Sequence, residues 1–427
     1  MENKIKIGLS RSRLFDFQCV VSFVGEVQEP FNLKELSKAL KMLSVKEPLI
    51  TSVIYLDDSS EAYLQTEKVE PKIEVIENDV DLFLQQQISS GIDLEDALFK
   101  FFVINKNTLA IFSHTVVSDS KSLLILAKEL LSFYTKESVD ALPKSINLFS
   151  EESDLPIEVS SFVADRVTEV LDNNYLLKPQ KFTYVDYKKA KCKFDQGNSV
   201  AATSYTFDRE LCEKLNKRCS EIKIDFSSMV LFALTEVIKA NKKVKKTALK
   251  VNVQVDRRPF FIDKASYSVG CFNGSVSLDL AEEKGILQEK VKAFHNNLYK
   301  KACGCFNAFY NEVFLSKLTP AFLDSCFMYK AGVYKNRHTK KLATLYGCEQ
   351  QFLCSFEAIN LNQNFWEKLS TFHHIRVKEP HKSNFGVSFS LIMGSENELF
   401  VEWDSAEYSE PQIEAFIEKS ISLLKQI

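Results

Sequence analysis

The stretch SHTVVSDSKS, residues 113–122, sits between an apolar run, LAIF, and an amphipathic one, LLILAKELLSFY. It places one imidazole, His114, and one carboxylate, Asp119, five positions apart where a strand gives way to a helix. Such junctions present reactive side chains well, because the rigid elements on either side fix the turn between them. An imidazole, with an ordinary pKa of about 6.5, can take a proton and return it near neutral pH. The hydroxyl of the neighbouring Thr115 cannot. Ser113, Ser120 and Ser122 add three hydroxyls that could line a channel at this point. The plain alternative is a turn whose histidine is buried and hydrogen-bonded to backbone.

Elsewhere the chemistry is thinner. His373 and His374 are adjacent, but the position four beyond the second is Lys378, so the pair reads as two faces of a strand. KKVKK (242–246) reads as a solvated connection, and KNRHTKK (335–341) as a basic loop, either plainly exposed or able to meet a phosphate. Ten cysteines scattered through 427 residues do not form the dense framework of a small secreted domain. Cys303, Cys305 and Cys326 lack the spacing of a zinc site, so no metal is expected. Neither a Gly-rich phosphate loop nor a Gly-x-Ser-x-Gly elbow occurs.

The elements that must hold these residues alternate along the chain. CVVSFVGEV (19–27), LITSVIYL (49–56), LFKFFVI and TLAIF read as strands, with helices over NLKELSKALKML (32–43) and VDLFLQQQIS. Residues 137–198 have the composition of a crossing linker, with one helix near VADRVTEVLDNNY. Beyond them come strand SVAATSYTF, helices RELCEKLNKRC and SSMVLFALTEVIKA, strands LKVNVQV and CFNGSVSLDL, and helix GILQEKVKAFHNNLYKKA. Strands are expected near SCFMYKAGV, QFLCSFEAI, FHHIRV, GVSFSLIM and LFVEW, and a last helix begins after Ser409 as N-cap. Two α/β lobes, 1–170 and 171–427, are the expected division. With 54 basic against 57 acidic residues, the composition gives no reason to expect nucleic acid as a partner. Without a signal pattern or a run long enough to span a bilayer, a cytoplasmic protein is expected.

The order of these pieces resembles the chloramphenicol acetyltransferase-like superfamily, which includes condensation domains and alcohol acyltransferases. The 92–134 segment resembles the one carrying that family's His-His-x-x-x-Asp-Gly motif. VNVQVDRRPF followed by VGCFNGSVSL resembles its Asp-x-Arg strand and Gly-x-Phe companion, and SNFGVSFS faintly its C-terminal Phe-Gly element. The resemblance implies two lobes, each a mixed sheet flanked by helices, with a tunnel between them and residues 113–120 at its middle. It implies that Asp119 is structural and pairs with Arg258. Loss of a partner by a buried charge costs about 3–5 kcal/mol, so such a pair can persist without catalysis.

Aligned on Asp119, His114 takes the first histidine position, Thr115 the second, and Ser120 the glycine. The second histidine is the family's base, so three readings follow. His114 has taken over as base in an acyltransferase; or H-x-x-x-x-D-x-x-S, ending at Ser122, marks a heterocyclization-like variant; or the scaffold binds or docks without catalysis. The resemblance implies an acyl donor held as a thioester on CoA or on the phosphopantetheine of a carrier protein, a small amine or alcohol acceptor, and no bound cofactor.

Overall fold

The computed structural model describes residues 4–137, 142–146, 154–155, 162–196, 200–240, 250–261, 268–280, 285–345, 353–361, 364–379 and 386–427. The first half contributes β1 (Lys4–Lys6), β2 (Val20–Glu26), α1 (Leu33–Lys46), β3 (Val53–Leu56), β4 (Ala62–Gln65), β5 (Ile73–Ile76), α2 (Val80–Ser90), β6 (Phe99–Ile104), β7 (Thr108–His114) and α3 (Ser120–Tyr134). Helices α4 (Phe162–Leu176) and α5 (Tyr184–Gln196) follow. The second half holds β8 (Val200–Thr206), α6 (Arg209–Ile222), α7 (Phe226–Lys239), β9 (Lys250–Asp256), β10 (Asn273–Asp279), α8 (Leu287–Ala302), α9 (Cys305–Ser316), α10 (Pro320–Lys330) and α11 (Arg337–Leu345). It ends with β11 (Cys354–Asn360), β12 (Ile375–Lys378), β13 (Val387–Met393), β14 (Asn397–Asp404) and α12 (Glu410–Leu424).

These strands form two large mixed sheets, in the orders β12-β2-β7-β6-β5 and β10-β9-β11-β13-β14-β8, and a small one, β1-β4-β3. Each large sheet has its own apolar cluster, the first around Phe23, Phe101, Phe112 and Leu124, the second around Phe232, Phe356, Phe389 and Trp403. The expected architecture of two flanked sheets is present. Two segments beyond residue 170 pack with the first sheet. Strand β12 pairs antiparallel with β2, Lys378 opposite Ser22, and α5 buries Tyr187, Ala190 and Phe194 in the first cluster.

Three segments differ from the sequence reading. SCFMYKAGV is not a strand but the second half of α10 and the turn after it, which follows Pro320 at its first position. Phe322, Leu323, Ser325, Cys326 and Met328 are all buried, so the helix is apolar on most sides and shows no amphipathic period to read. The polar stretch YKKAKCKF is helical, because Tyr187, Ala190 and Phe194 recur at i, i+3 and i+7 among its lysines. The basic loop at 335–341 runs into α11, which buries Thr339, Leu342 and Ala343. KKVKK and the start of SNFGVSFS lie outside the described residues. Ser409 does cap α12, its N–H meeting the Gln412 side chain at 2.9 Å.

Candidate functional site

His114 ends β7, an interior strand of the first sheet, and stands opposite Val20 of β2. Side chains alternate across a strand, so His114, Phe112, Val20, Ser22, Val24, Arg376 and Lys378 share one face. Helix α2 packs on that face, with Phe83 against Phe112 at 6.2 Å between ring centroids. Ser113, fully buried, lies on the other.

The His114 ring is 1% exposed. Its Nδ1 accepts a hydrogen bond from the Val116 N–H at 3.1 Å, which leaves the proton of the neutral ring on Nε2. Burial pushes its pKa down to about 4, against the opposing pull of the Asp16 carboxylate. At neutral pH one nitrogen is engaged and the other already protonated. Thr115, also buried, donates its N–H to the Cys19 carbonyl at 2.8 Å.

Asp119 caps α3. Its Oδ1 accepts from the Ser122 N–H at 2.8 Å and its Oδ2 from the Phe272 N–H at 2.8 Å. Arg258 grips both oxygens, Nη2 to Oδ1 at 2.9 Å and Nη1 to Oδ2 at 3.0 Å. The same guanidinium reaches the Ser268 carbonyl through Nε at 3.1 Å, Ser122 Oγ at 2.7 Å and Asp256 Oδ1 at 3.1 Å, and lies 4.4 Å from the Phe272 ring. Ser122 Oγ also accepts from the Gly270 N–H at 3.0 Å. The expected pairing is therefore made, and it ties the start of α3 to the end of β9. Arg257, one position earlier, goes elsewhere, to the Phe272 and Asn273 carbonyls and to Glu312.

Two functional candidates were missed by the sequence reading. Ser120 donates its N–H to Glu379 Oε1 at 2.8 Å, its Oγ lies 3.0 Å from the same oxygen, and it also touches Glu357 Oε1. One hydroxyl carries one proton, so two carboxyl oxygens that meet at it are better satisfied when one of them is itself protonated. Burial, followed by the charge of Glu379, pushes the Glu357 carboxyl well above its ordinary range. Burial and then Asp119 raise Glu379. The other oxygen of Glu357, Oε2, is buried with no hydrogen-bond partner. A glutamate inside the apolar strand CSFEAIN was the available signal.

A cavity of about 520 Å³ lies between the two large sheets, walled by β2, β12 and α2 on one side, β8 and β14 on the other, and by α5. Phe17, Leu84, Phe194 and Phe400 are among its apolar walls. Its six ionic side chains are tied in three pairs, Arg376 to Asp81, Lys378 to Glu402, and Lys191 to Asp195. Residues 113–120 are not on its wall, so the expected placement of the motif at mid-tunnel does not hold for this cavity. Its nearest approach along the first sheet is Ser22, two residues along β2 from Val20, the partner of His114. Among the described residues no group of His, Cys, Asp and Glu is arranged to hold a metal ion, and no helix is long and apolar enough to cross a membrane.

No family model and no curated protein matches the chain. Solved structures do. The cyclization-docking bidomain of EpoB from Sorangium cellulosum superposes with a TM-score of 0.66 at 16% identity, covering 100% of this chain and 85% of that one. The condensation domain of the monacolin K polyketide synthase MokA gives 0.65 at 11% identity, over 99% and 97%. The condensation enzyme VibH gives 0.58 at 13%, over 96% and 91%. The agreement runs the length of the chain, and the protein has the two-lobed, chloramphenicol acetyltransferase-like fold of the condensation domains.

Proposed function

We propose that this condensation-type scaffold receives an uncharged acyl group, presented as a thioester on CoA or on the phosphopantetheine of a carrier protein, in the cavity between its sheets. The observation that carries the reading is the wall of that cavity. Its ionic groups neutralise one another in pairs, and its remaining surface is largely apolar with a few amides and hydroxyls. A guest with a net charge would leave water without gaining a counter-charge, whereas an apolar acyl chain loses only water.

Transfer to an amine or alcohol also needs a proton acceptor. Thr115 stands where the related motif has its base, and both ring nitrogens of His114 are occupied. The geometry thus favours holding of the acyl thioester over histidine-based transfer. A heterocyclization-like reaction is a second reading, supported by the Asp119-x-x-Ser122 spacing and the grip of Arg258 on both residues.

Octanoyl-pantetheine binding, measured by calorimetry, tests the reading. Wild type should bind it, succinyl-pantetheine should bind at least about tenfold more weakly, and Ala202→Trp, which fills the cavity, should abolish octanoyl binding. Thiol release with pooled amines and alcohols, measured in parallel, should be unchanged in His114→Ala. A turnover lost in that variant would instead restore His114 as the base.

A further inference from the structure

Two lysines line the cavity, and their surroundings differ. Lys191 of α5 donates to the Asp195 carboxylate at 2.8 Å and to the Ser89 carbonyl at 2.9 Å, and Asp195 is 40% exposed. Two acceptors and nearby water favour the charged ammonium there. Lys378 ends β12, opposite Ser22 of β2, and reaches across the gap between the large sheets to Glu402 of β14. These two side chains are only 16% and 6% exposed, and among the described residues Glu402 is the one hydrogen-bond partner of the Lys378 amine.

A lysine and a glutamate in so dry a contact have two arrangements of equal net charge, ammonium with carboxylate or amine with carboxylic acid. Low dielectric penalises the separated charges and brings the second arrangement within reach. Burial pushes the Lys378 ammonium down from 10.5 to about 7, so near neutral pH much of it is free amine. A free amine is a nucleophile. Its place along the strand matters too. Glu379, the next residue, accepts from the Ser120 N–H at the start of α3, so Lys378 stands where the cavity comes nearest the Asp119–Ser120 junction along β12.

We infer that Lys378 is an acyl acceptor, and that the protein transfers the acyl group of a thioester held in the cavity to its own Lys378 Nζ. The inference rests on the acyl-thioester reading above. In the amine and acid arrangement, the Nζ lone pair attacks the thioester carbonyl carbon. The C–N bond forms and the C–S bond breaks; Glu402 gives its proton to the departing sulfur and then takes one from the acylated nitrogen. The products are an amide on Lys378 and a free thiol, with Glu402 returned to its starting form. The step consumes nothing but the thioester and makes no use of His114.

The test incubates the wild-type chain with octanoyl-pantetheine near neutral pH and follows intact mass and a peptide map. S-octyl pantetheine, a thioether with no carbonyl to transfer, reads binding in the cavity alone by calorimetry. Wild type should bind the thioether and gain one octanoyl group on Lys378 at least about tenfold faster than on the exposed Lys340. Excess thioether should suppress that gain, and the product should survive hydroxylamine, which strips acyl groups from thiols. Lys378→Arg keeps a cation for Glu402 but offers no free amine, and should lose the fast modification, with thermal melting to confirm that it is folded. If it is not folded, the wild-type peptide map decides alone. Thioether binding without fast acylation of Lys378, or acylation spread evenly over exposed lysines and indifferent to the thioether, overturns the acceptor role while the cavity reading stands. Failure of the thioether to bind refutes the cavity reading, and the acceptor role with it.

Discussion

Asp119 and Ser120 are adjacent in sequence, face the same junction between the sheets, and solve opposite electrostatic problems. Asp119 has a bidentate arginine, two backbone donors and a serine, so its charge is matched and its oxygens are filled. Ser120 gathers two glutamates, neither bonded to a cation among the described residues, and one oxygen of Glu357 is left without a hydrogen-bond partner there. The first arrangement depends on charge being present, the second on charge being absent. One end of α3 is therefore fixed by an ion pair, and beside it lies a contact between two carboxyls that burial raises, which favours a proton there.

The largest effect should come from breaking the matched side. Arg258→Leu leaves Asp119 buried and unpaired, and should cost about 3–5 kcal/mol in urea denaturation near neutral pH. Asp119→Asn added to Arg258→Leu should recover part of that loss, since a neutral amide is cheaper to bury than a carboxylate. If Arg258→Leu alone is nearly neutral, the ion pair is not what holds α3 to β9.

His114 sharpens the contrast from the acid side. Its pKa is depressed to about 4 in the fold against about 6.5 in an unfolded chain. The unfolded state then binds the extra proton first, so stability is present above pH 6.5 and is lost as pH falls towards 4. The span corresponds to about 3 kcal/mol. His114→Asn, which keeps an acceptor for the Val116 N–H but cannot titrate, should flatten that acid limb. An unchanged limb in the variant would mean that His114 is protonated in the fold as readily as outside it.

Much of this was legible before the fold was seen. The apolar run ending at His114 and the amphipathic run after Ser120 mark a strand and a helix by period alone, and the resemblance to Asp-x-Arg proteins paired Asp119 with Arg258. Glu357 and Glu379 could not be read in the same way. They lie 237 and 259 positions from Ser120, and they meet it only because β11 sits beside β9 and β12 crosses to pair with β2. No local pattern carries such a contact, since it is a product of strand order. Helix α10 was misread for a different reason. Burial on nearly all sides erases the helical period that would have distinguished it from a strand.

The smallest predicted effect tests the proton itself. In the fold the carboxyls of Glu357 and Glu379 are raised, burial being the first cause for both, whereas an unfolded glutamate titrates near 4.3. The native state thus keeps a proton that the unfolded chain has released, and the stability this provides is complete below about pH 4.3 and lost as pH rises through the native value. The slope is about 1.4 kcal/mol for each pH unit over which one proton separates the two states. Glu47, pushed up to about 7 by burial, contributes a loss of the same sign and would hide the effect in wild type alone. The comparison is therefore with Glu357→Gln, which leaves Glu47 untouched. A glutamine amide donates to Ser120 Oγ at every pH, so the variant needs no shared proton and its stability should decline less steeply between pH 5 and 8 than that of wild type. Urea midpoints at half-unit steps of pH give both slopes. Parallel curves would show that Glu357 and Glu379 are both ionised in the native protein, and the contrast between Asp119 and Ser120 would then be one of geometry without a proton to maintain it.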